Sequence, residues 1–488
     1  MATVPETAPD TDGLRRVVID PVTRVEGHGK VTLLLDDANR VRQARLHIVE
    51  FRGFEKFIQG RPYWEIPVLV QRLCGICPVS HHLAAAKAID QLVGVDVLTP
   101  TAEKLRRLLH LGQILQSHAL HFFHLASPDL LFGFGSDARK RNIVGVAEAD
   151  PKLALKGIGL RKYGQEVIRH ITGKRVHGTA AIPGGMNKAL DPLARDLLLK
   201  EIDSIIADSR VALAVARELT LQDRERHAEF ATITSSFMSL AGSEGALDLY
   251  HGGLRVRGAQ GDVILDDIDY RTYFDHLREE VRSWTYMKFP YIAKLGAQEG
   301  WYRVGPLARI NNADHIPTHL AEEARKAFMA EGGGQSIQST LAYHWARMIE
   351  VLHAAEGIRQ LLEDPDILGE DLIMEGIRRS RGIGVIEAPR GTLFHDYTVD
   401  ENDLITRANL IVSTTSNNQA MNESIRQVAA TYLDGVEPTE GLLNHIEVAI
   451  RAYDPCLSCA THALGKMPLE IEVLNPEGAV LGRTSRSC

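Results

Sequence analysis

The chain has 488 residues, of which 44% are hydrophobic and 24% are charged, the usage of an ordinary globular protein. Its formal net charge of -8 offers no basic surface for phosphate groups, which argues against nucleic acids and anionic membranes as partners. No apolar run approaches the roughly 18 residues of a membrane span, and the opening MATVPETAPDTDGLRR lacks the features of a signal peptide. We therefore expect a soluble protein.

The first predicted elements are a flexible tail over residues 1–16 and a small antiparallel sheet behind it. The runs RRVVID and GKVTLLLDDANRVRQARLHIVEF are apolar and β-branched around an Asp-Asp-Ala-Asn turn, a pattern typical of strands. No clean linker follows. Residues 17–462 are therefore predicted to form a single domain.

Two long helices are predicted farther along the chain. The first begins with Thr99 as its N-cap and Pro100 at its first position, and its apolar stripe runs from Leu105 to Phe122. The second lies in STLAYHWARMIEVLHAAEGIRQLLED, and the mixed, aromatic segments between the two indicate an α/β insertion. The predicted fold class is α+β and mainly helical, a central long-helix bundle with a small N-terminal antiparallel sheet and α/β insertions.

Cysteine is rare, and its spacing is the most informative feature of the sequence. Two C-x-x-C pairs, Cys74 with Cys77 and Cys456 with Cys459, stand at opposite ends of the chain, and Cys488 is the last residue. Such sparse usage suits a reducing cytoplasm. One pair alone is compatible with structural zinc, an iron-sulfur ligand set, a redox dithiol or two buried small residues. Two pairs favour a four-sulfur site for zinc, nickel or iron, because thiolates select such metals.

The motifs around the cysteines add carboxylates, an arginine and a histidine. Each of these residues alone has an ordinary role as a solvated, salt-bridged or capping side chain. Together, six segments in fixed order closely resemble the large, catalytic subunit of nickel-iron hydrogenases, from about Val17 to the C-terminus. The six segments are RVEGH, FRGFE, RLCGIC with His81 four residues on, APRG, STTSNN and DPCLSCATH.

The resemblance implies a bimetallic centre that splits dihydrogen reversibly into protons and electrons. All four thiolates would bind nickel, and Cys77 and Cys459 would also bridge to an iron that carries carbon monoxide and two cyanides. Cys74 and Cys456 would then be terminal nickel ligands. The proton needs a carboxylate within hydrogen-bond reach of a cysteine sulfur, and by motif that carboxylate is Glu26.

The resemblance also implies residues that support the iron ligands. Arg390 corresponds to an arginine that lies over the two metals and contacts a cyanide, with Asp454 and Asp129 expected to hold its guanidinium. Thr414 is expected to hydrogen-bond the other cyanide. The family often has PTTWN where this chain has STTSNN, so the packing around this threonine differs.

Two further features of the family fall near the C-terminus. A magnesium-like ion is expected to bind Glu55, the backbone carbonyl of Leu410 and His462. Residues 463–488 are expected to be a C-terminal extension that a dedicated endopeptidase removes after nickel insertion. Within this extension, PLEIEVLNPEGAVLG predicts a small hairpin.

Several histidines invite a metal-binding interpretation that we do not favour. His118, His121 and His124 recur at a spacing of three, which could present imidazoles to zinc. They adjoin an apolar stripe without a spaced carboxylate, so we expect them to be packing residues. His81 and His82 are expected to hydrogen-bond near the cysteines rather than to bind metal.

Electrons released at such a centre must leave through other chains. Beyond the two pairs only Cys488 remains, which cannot hold an iron-sulfur cluster, and no G-x-G-x-x-G follows a strand. The relay and any nucleotide cofactor are therefore expected on other chains, and the resemblance implies that these are a small iron-sulfur hydrogenase subunit and diaphorase subunits carrying flavin and NAD. The segments VEFRGFEKF, CPVSHHLAAAKA and AYDPCLSCATHALG most resemble the cytoplasmic, bidirectional, NAD-linked branch of the family.

Two alternatives remain open at this stage. The same chemistry could serve a deazaflavin- or heterodisulfide-linked acceptor, and only the partner subunits would separate these cases. The chain could also be a non-catalytic scaffold held by a four-thiolate zinc, like the related quinone-reductase subunit of respiratory complexes. That relative, however, lacks the four cysteines.

Overall fold

The computed structural model describes residues 14–282, 284–461, 469–474 and 480–486, the last two segments as backbone strands only. The strands in this part of the chain are β1 (Arg15–Ile19), β2 (Gly29–Leu35), β3 (Val41–Ile48), β4 (Ala181–Ile182), β5 (Gly185–Met186), β6 (Ser236–Ala241), β7 (Gly253–Arg257), β8 (Val263–Ile268), β9 (Leu277–Glu280), β10 (Phe289–Ile292), β11 (Tyr302–Arg303), β12 (Arg381–Ala388), β13 (Gly391–Val399), β14 (Ile405–Ile411), β15 (Leu469–Leu474) and β16 (Val480–Arg486).

The α-helices in the same residues range from 4 to 31 residues in length. They are α1 (Phe54–Phe57), α2 (Ile66–Leu69), α3 (Pro78–Leu92), α4 (Pro100–Leu120), α5 (Ser127–Phe132), α6 (Ile143–Ala149), α7 (Pro151–Thr172), α8 (Pro192–Gln222), α9 (Arg224–Glu229), α10 (Tyr273–His276), α11 (Gly296–Glu299), α12 (Pro306–Asn312), α13 (His319–Glu331), α14 (Ala342–Glu363), α15 (Ser413–Ser416), α16 (Asn418–Tyr432) and α17 (Glu440–Ala452).

The N-terminal sheet has the order β1-β2-β3 and is antiparallel, as the alternating β-branched runs predict. Its register pairs Ile19 with Val31 and Gly29 with Ile48. Because of this register, the loop 20–28 and the segment 49–53 leave the sheet at the same end. The RVEGH and FRGFE motifs are therefore neighbours.

The helix bundle forms the centre of the molecule, with α4 packed against α7 and α14, and α14 packed against α8. Thr99 caps α4, since its Oγ1 accepts a hydrogen bond from the Ala102 N–H at 3.2 Å. Most residues of α14 are buried, including Trp345 at 2% exposure, as expected of a helix inside a core. The predicted fold class is confirmed.

The helix that begins at Pro100 changes its geometry after Leu120. A π-helical turn, His121–Ala126, separates α4 from α5. Pro128 has no N–H to donate back into the preceding turn and its ring would crowd that turn, so a regular α-helix cannot continue through it. The apolar stripe predicted the helix but not this change of pitch.

A second antiparallel sheet, β12-β13-β14, packs against α3 and fixes the helix that follows Cys77. β12 lies so close to α3 that two of its positions have no room for a side chain. A Cβ on Gly382 would lie 1.9 Å from the Ala88 carbonyl oxygen, and one on Gly384 would lie 2.1 Å from that of Ala84. The mixed segments between the long helices form β6-β7-β8 with β11, which agrees with the predicted α/β insertion.

The chain termini are described only in part. β1 begins at Arg15, inside the tail predicted for residues 1–16, and residues 1–13 lie outside the described part. β15 and β16 pair antiparallel, which confirms the predicted hairpin, whereas its predicted turn lies outside the described residues. Among the helices of the described ranges, none is both long enough and apolar enough to cross a lipid bilayer.

Buried histidines make the stability of the fold depend on pH. Burial lowers the pKa values of His47, His82, His110, His118 and His227 to about 4, from about 6.5 in an unfolded chain. Between these values the unfolded chain binds protons that the folded chain does not, so the free energy of unfolding falls as the pH falls. We expect a clearly lower urea midpoint at pH 5 than at pH 7; equal midpoints would contradict this.

Candidate metal centre

The four paired cysteines meet in the core although they come from opposite ends of the chain. Cys74 and Cys77 precede α3, and Cys456 and Cys459 follow α17. Their exposed fractions are 2%, 6%, 1% and 0%, and their four Sγ atoms all lie within 4.8 Å of one another. Among the described residues, this is the group of His, Cys, Asp or Glu side chains arranged to hold a metal ion.

The sulfur separations are those of separate thiols rather than disulfides. Cys74 Sγ lies 3.3 Å from Cys456 Sγ, and Cys77 Sγ lies 3.8 Å from Cys459 Sγ. Within the second pair the separation is 2.8 Å. A disulfide requires about 2.05 Å, whereas thiolates that share one metal at about 2.3 Å lie roughly 3.3 to 3.8 Å apart. The two contacts between the pairs therefore fit a shared metal.

The thiols differ in how readily they ionise. Burial opposes ionisation of Cys74, but hydrogen bonds from Cys456 and Cys459 lower its pKa well below the usual value. Burial raises the pKa values of Cys456 and Cys459 well above theirs. A metal requires thiolates. Binding to this quartet would therefore release protons.

Backbone contacts hold the two cysteine turns in place. The N–H groups of Ile76 and Cys77 each donate to Cys74 Sγ at 3.2 Å, which closes the first turn around its sulfur. The N–H of Cys456 donates to Thr414 Oγ1 at 2.9 Å, and the N–H of Leu457 donates to the Glu26 carbonyl oxygen at 2.9 Å. The second turn is thus joined to both the STTSNN and the RVEGH motifs.

Glu26 lies directly against the quartet. Its Oε2 accepts hydrogen bonds from Cys456 Sγ at 2.9 Å and from the Ser458 N–H at 3.2 Å. Gly27 permits this approach, because it has φ +80° and a Cβ there would lie 2.7 Å from the Ser458 nitrogen. The carboxylate is therefore within proton-transfer distance of a cysteine sulfur.

Arg390 is buried beside the quartet and is held by Asp454. Its Nε donates to the Asp454 backbone oxygen at 2.6 Å, and its Nη2 donates to Asp454 Oδ1 at 2.9 Å. Its Nη1 reaches Ser117 Oγ at 3.4 Å. Burial raises the pKa of Asp454, and the neighbouring arginine opposes this rise.

Asp129 has different partners from those predicted. Its carboxylate accepts from Arg24 at 2.6 Å, from Arg451 at 2.9 Å and from Asn444 at 3.1 Å. It stands on α5, beyond the π-helical turn, where it faces the loop 20–28. The prediction that it holds Arg390 is corrected: Asp129 anchors the loop that carries Glu26.

Ser117 is the residue beside Arg390 that sequence reasoning missed. It lies in α4 within QSHALHFFH and is fully buried. A single serine in an apolar stripe is common in helices, where it can bond to its own backbone. Its partner is 273 residues away in sequence, so nothing near it in the chain signals the contact.

The residues expected to bind a second cation are partly described. Glu55 is 3% exposed, and its Oε1 accepts from the Leu410 N–H at 2.8 Å. The observed contact thus uses the N–H of Leu410, whereas the prediction concerned its carbonyl oxygen. The Arg52 N–H donates to the Thr461 carbonyl oxygen at 3.1 Å, which brings this end of the chain to the FRGFE motif. His462 itself lies outside the described residues.

A small cavity opens onto the quartet. Its volume is about 10 Å³, close to the least that one water molecule needs. Its walls combine thiols, the Arg390 guanidinium and small side chains: Cys77, Ser80, His81, Ala388, Pro389, Arg390, Leu393, Val412, Ser413, Thr414, Cys456 and Cys459. A larger cavity of about 540 Å³, lined by Lys87 and Tyr250 among others, includes none of the cysteines.

The remaining predicted histidines contact separate partners. His118 Nε2 lies 2.8 Å from Glu350 Oε2, and His121 Nε2 lies 2.6 Å from the Arg451 carbonyl oxygen. His81 Nδ1 lies 3.1 Å from His395 Nε2. These contacts are those of packed, hydrogen-bonded side chains.

Loss of Arg390 should lower the stability of the fold as well as the activity. In Arg390→Ala the buried Asp454 carboxylate loses its counter-charge, so we expect a loss of about 3–5 kcal/mol in the free energy of unfolding. Arg15→Ala breaks only exposed contacts, those with Glu437 and Asn39, and should leave the urea midpoint nearly unchanged. Similar midpoints for both variants would contradict the assigned ion pair.

Comparison with known proteins places this site in a family. A sequence profile described as nickel-dependent hydrogenase matches residues 52–156 and 262–462, more than half of the chain. The chain belongs to the nickel-dependent hydrogenase family. A second profile, described as HoxL-like, matches residues 16–51 of this hydrogenase chain.

Individual relatives match the hydrogenase chain over nearly its full length. It is 48% identical to the NAD-reducing hydrogenase HoxS subunit beta of Cupriavidus necator, covering 97% of this chain and 100% of the relative. It is 42% identical to a chain of the F420-non-reducing hydrogenase of Methanothermobacter thermautotrophicus, covering 96% of this chain and 99% of the relative.

Solved structures agree with the fold. A crystal structure of an NAD+-reducing [NiFe]-hydrogenase in the H2-reduced state superposes with a TM-score of 0.91 at 56% identity, covering 92% of this chain and 100% of that chain. A Ni-Fe-Se hydrogenase from D. vulgaris Hildenborough, at 23% identity and a TM-score of 0.75, shares the fold. The chain is therefore a catalytic hydrogenase subunit, since family membership favours this interpretation over a zinc scaffold.

Proposed function

We propose that this chain is the catalytic subunit of an NAD-reducing nickel-iron hydrogenase, which oxidises dihydrogen reversibly and passes the electrons to NAD+ through partner subunits. The observation that carries the proposal is the buried quartet of thiols with a carboxylate 2.9 Å from one sulfur. A soft ligand set suits nickel and iron, and the adjacent carboxylate suits the removal of a proton.

The four cysteines would divide into two roles at this centre. Cys74 and Cys456 would bind nickel alone, and Cys77 and Cys459 would also bridge to an iron holding carbon monoxide and two cyanides. When bound, the metal pair supplies the Lewis-acidic, redox-active centre for the cleavage of dihydrogen. Both proposed bridging residues, Cys77 and Cys459, line the small cavity, as does Cys456.

The side chains around the quartet would accept the proton and contact the iron ligands. Glu26 would accept the proton through Cys456 Sγ, with which it already shares a hydrogen bond. Arg390 and Thr414 would face the diatomic iron ligands from the cavity wall, and Asp454 would fix the guanidinium. Arginine suits this position because its planar fork stays charged when buried.

A second, magnesium-like cation would lie between Glu55, the Leu410 backbone and His462. The burial of the Glu55 carboxylate supports this site, since a hard cation prefers oxygen ligands. It would tie the end of the domain to the FRGFE motif.

We also propose how the chain is processed and assembled. Residues 17–462 would be the mature domain, and a maturation endopeptidase would remove residues 463–488, in line with the family match that ends at residue 462. The partners would be diaphorase subunits with flavin and NAD, together with a small iron-sulfur subunit. The free, buried cysteines suit a cytoplasmic location.

The acceptor can be tested on the complex isolated through this chain. We expect dihydrogen to drive reduction of NAD+, and a complex carrying Cys456→Ser to be inactive with the same acceptor. Reduction of a deazaflavin or a heterodisulfide, without NAD+ reduction, would reassign the acceptor. The greater identity to the NAD-reducing relative, 48% against 42%, favours NAD+.

A further inference from the structure

A line of polar groups continues from Glu26 to the protein surface. The N–H of Ser458 donates to Glu26 Oε2 at 3.2 Å, and the hydroxyl of the same serine donates to Glu50 Oε2 at 3.4 Å. The other oxygen of Glu50 lies 2.5 Å from His28 Nδ1. One serine thus contacts both carboxylates, and the second carboxylate contacts an imidazole.

The fold places these groups together through the register of the N-terminal sheet. Gly29 pairs with Ile48, so His28 and Glu50 emerge side by side where β2 begins and β3 ends. Gly27 lets the loop press against the second cysteine turn, since a Cβ there would also lie 2.9 Å from Ser458 Oγ. The same close approach therefore positions Glu26 and Ser458.

The outer end of the line is more exposed than its inner end, and Glu26 is half-buried. Cys456 is 1% exposed and Ser458 is 8% exposed, whereas the side chains of Glu50 and His28 are 32% and 67% exposed. A proton leaving the buried quartet along these groups would therefore reach water at the imidazole.

We propose that His28 and Glu50, joined to Glu26 by Ser458, are the surface end of the route by which protons leave and enter the metal centre. The inference rests on the proposed function. Each transfer moves one proton and no electron. Glu26 takes the proton from Cys456 and passes it to Glu50 across Ser458, whose N–H holds the first carboxylate and whose hydroxyl holds the second. Glu50 passes it to His28, which accepts at Nδ1 and releases at Nε2.

The charges around His28 suit this role. The hydrogen bond and charge of Glu50 raise the pKa of the imidazole, and Glu26 and Asp20 act in the same direction. Asp20 also faces Lys30, at 3.6 Å. A neighbouring carboxylate therefore draws the proton to the imidazole.

The alternative is that the contacts of Ser458 with Glu26 and Glu50 only stabilise the turn that carries Cys456 and Cys459. We would compare complexes carrying His28→Ala and Glu50→Gln with one carrying His251→Ala. This control removes another exposed histidine that pairs with a carboxylate, Glu103, at 2.9 Å. It lies outside the proton line and should match the unmodified complex.

Two hydrogen reactions separate the roles. Conversion of parahydrogen to orthohydrogen reports the splitting and recombination of dihydrogen at the centre. Exchange of D2 with H2O also requires protons to move between the centre and the solvent. We expect His28→Ala and Glu50→Gln to lower the exchange by about 100-fold, the low end for a positioned acid or base, while conversion stays unchanged. Added imidazole should restore exchange in His28→Ala.

Exchange equal to that of the control, or conversion falling in parallel with exchange, would overturn the proposal. Absence of conversion in the unmodified complex would instead defeat the proposed function itself.

A readout that needs no loaded centre is the titration of His28 by NMR in the full chain, with its imidazole signal assigned by its loss in His28→Ala. We expect this signal to titrate at lower pH in Glu50→Gln. An identical titration in both proteins would show that Glu50 does not communicate with the imidazole, and would overturn the line of transfer.

Discussion

Replacing Cys456 with serine is expected to remove nickel from the protein and to lower the rate of dihydrogen oxidation by more than about 100-fold. Loss of a residue that only hydrogen-bonds to a metal ligand already costs up to about 100-fold, and loss of the ligand itself should cost more. Cys456 contacts three groups of the centre: Sγ of Cys74 at 3.3 Å, Sγ of Cys459 at 2.8 Å and the Glu26 carboxylate at 2.9 Å. A serine oxygen is a harder ligand and is a poor substitute for thiolate toward nickel. The measurement is nickel per chain by elemental analysis, together with the rate.

The matched control for this substitution is Cys488→Ser. This cysteine is the last residue of the sequence and belongs to neither pair. Its substitution should leave the nickel content and the rate unchanged. Full nickel content in Cys456→Ser, or equal loss in both variants, would contradict the assignment of the quartet.

Glu26→Gln is expected to separate the cleavage of dihydrogen from the release of its proton. The amide preserves the size of the side chain but cannot take up a proton, so turnover should fall by about 10²–10⁴-fold, the usual contribution of a positioned acid or base. Conversion of parahydrogen should persist, because it needs no proton exchange with solvent. Glu26→Asp keeps the carboxylate but shortens the side chain by one methylene. Its turnover should lie between that of the unmodified complex and that of Glu26→Gln.

Glu323→Gln provides the control, since Glu323 is 66% exposed on α13 and its partner is another surface residue, His319. It should behave like the unmodified complex. If Glu26→Gln kept its turnover, protons would leave by another group. If it lost the parahydrogen reaction as well, the carboxylate would serve the centre itself rather than proton release.

Much of this arrangement could be predicted from the sequence because the signals are local. The β-branched runs around residue 36 predict β2 and β3, and the cap at Thr99 predicts the start of α4. The two C-x-x-C pairs predict a metal site, and the six motifs connect it to Glu26 and Arg390. Each of these signals is a short motif whose residues lie close together in the chain, although the two cysteine pairs themselves come from opposite ends.

The remainder depends on contacts between distant segments. Asp129 meets Arg451 rather than Arg390 because the π-helical turn and α5 direct it toward the loop 20–28. Ser117 and Ser458 make contacts across 273 and 408 residues of sequence, respectively. A serine carries no signal of such a partner, so only the folded chain reveals it.

The central claim is that the quartet binds nickel and iron for hydrogen chemistry. It is tested most directly by elemental analysis of the isolated complex, combined with its infrared spectrum in the region of carbonyl and cyanide stretches. We expect nickel and iron together, with those stretches, and their loss in Cys456→Ser. Zinc alone, without such stretches in protein whose residues 463–488 have been removed, would contradict the catalytic account and leave a structural four-thiolate site.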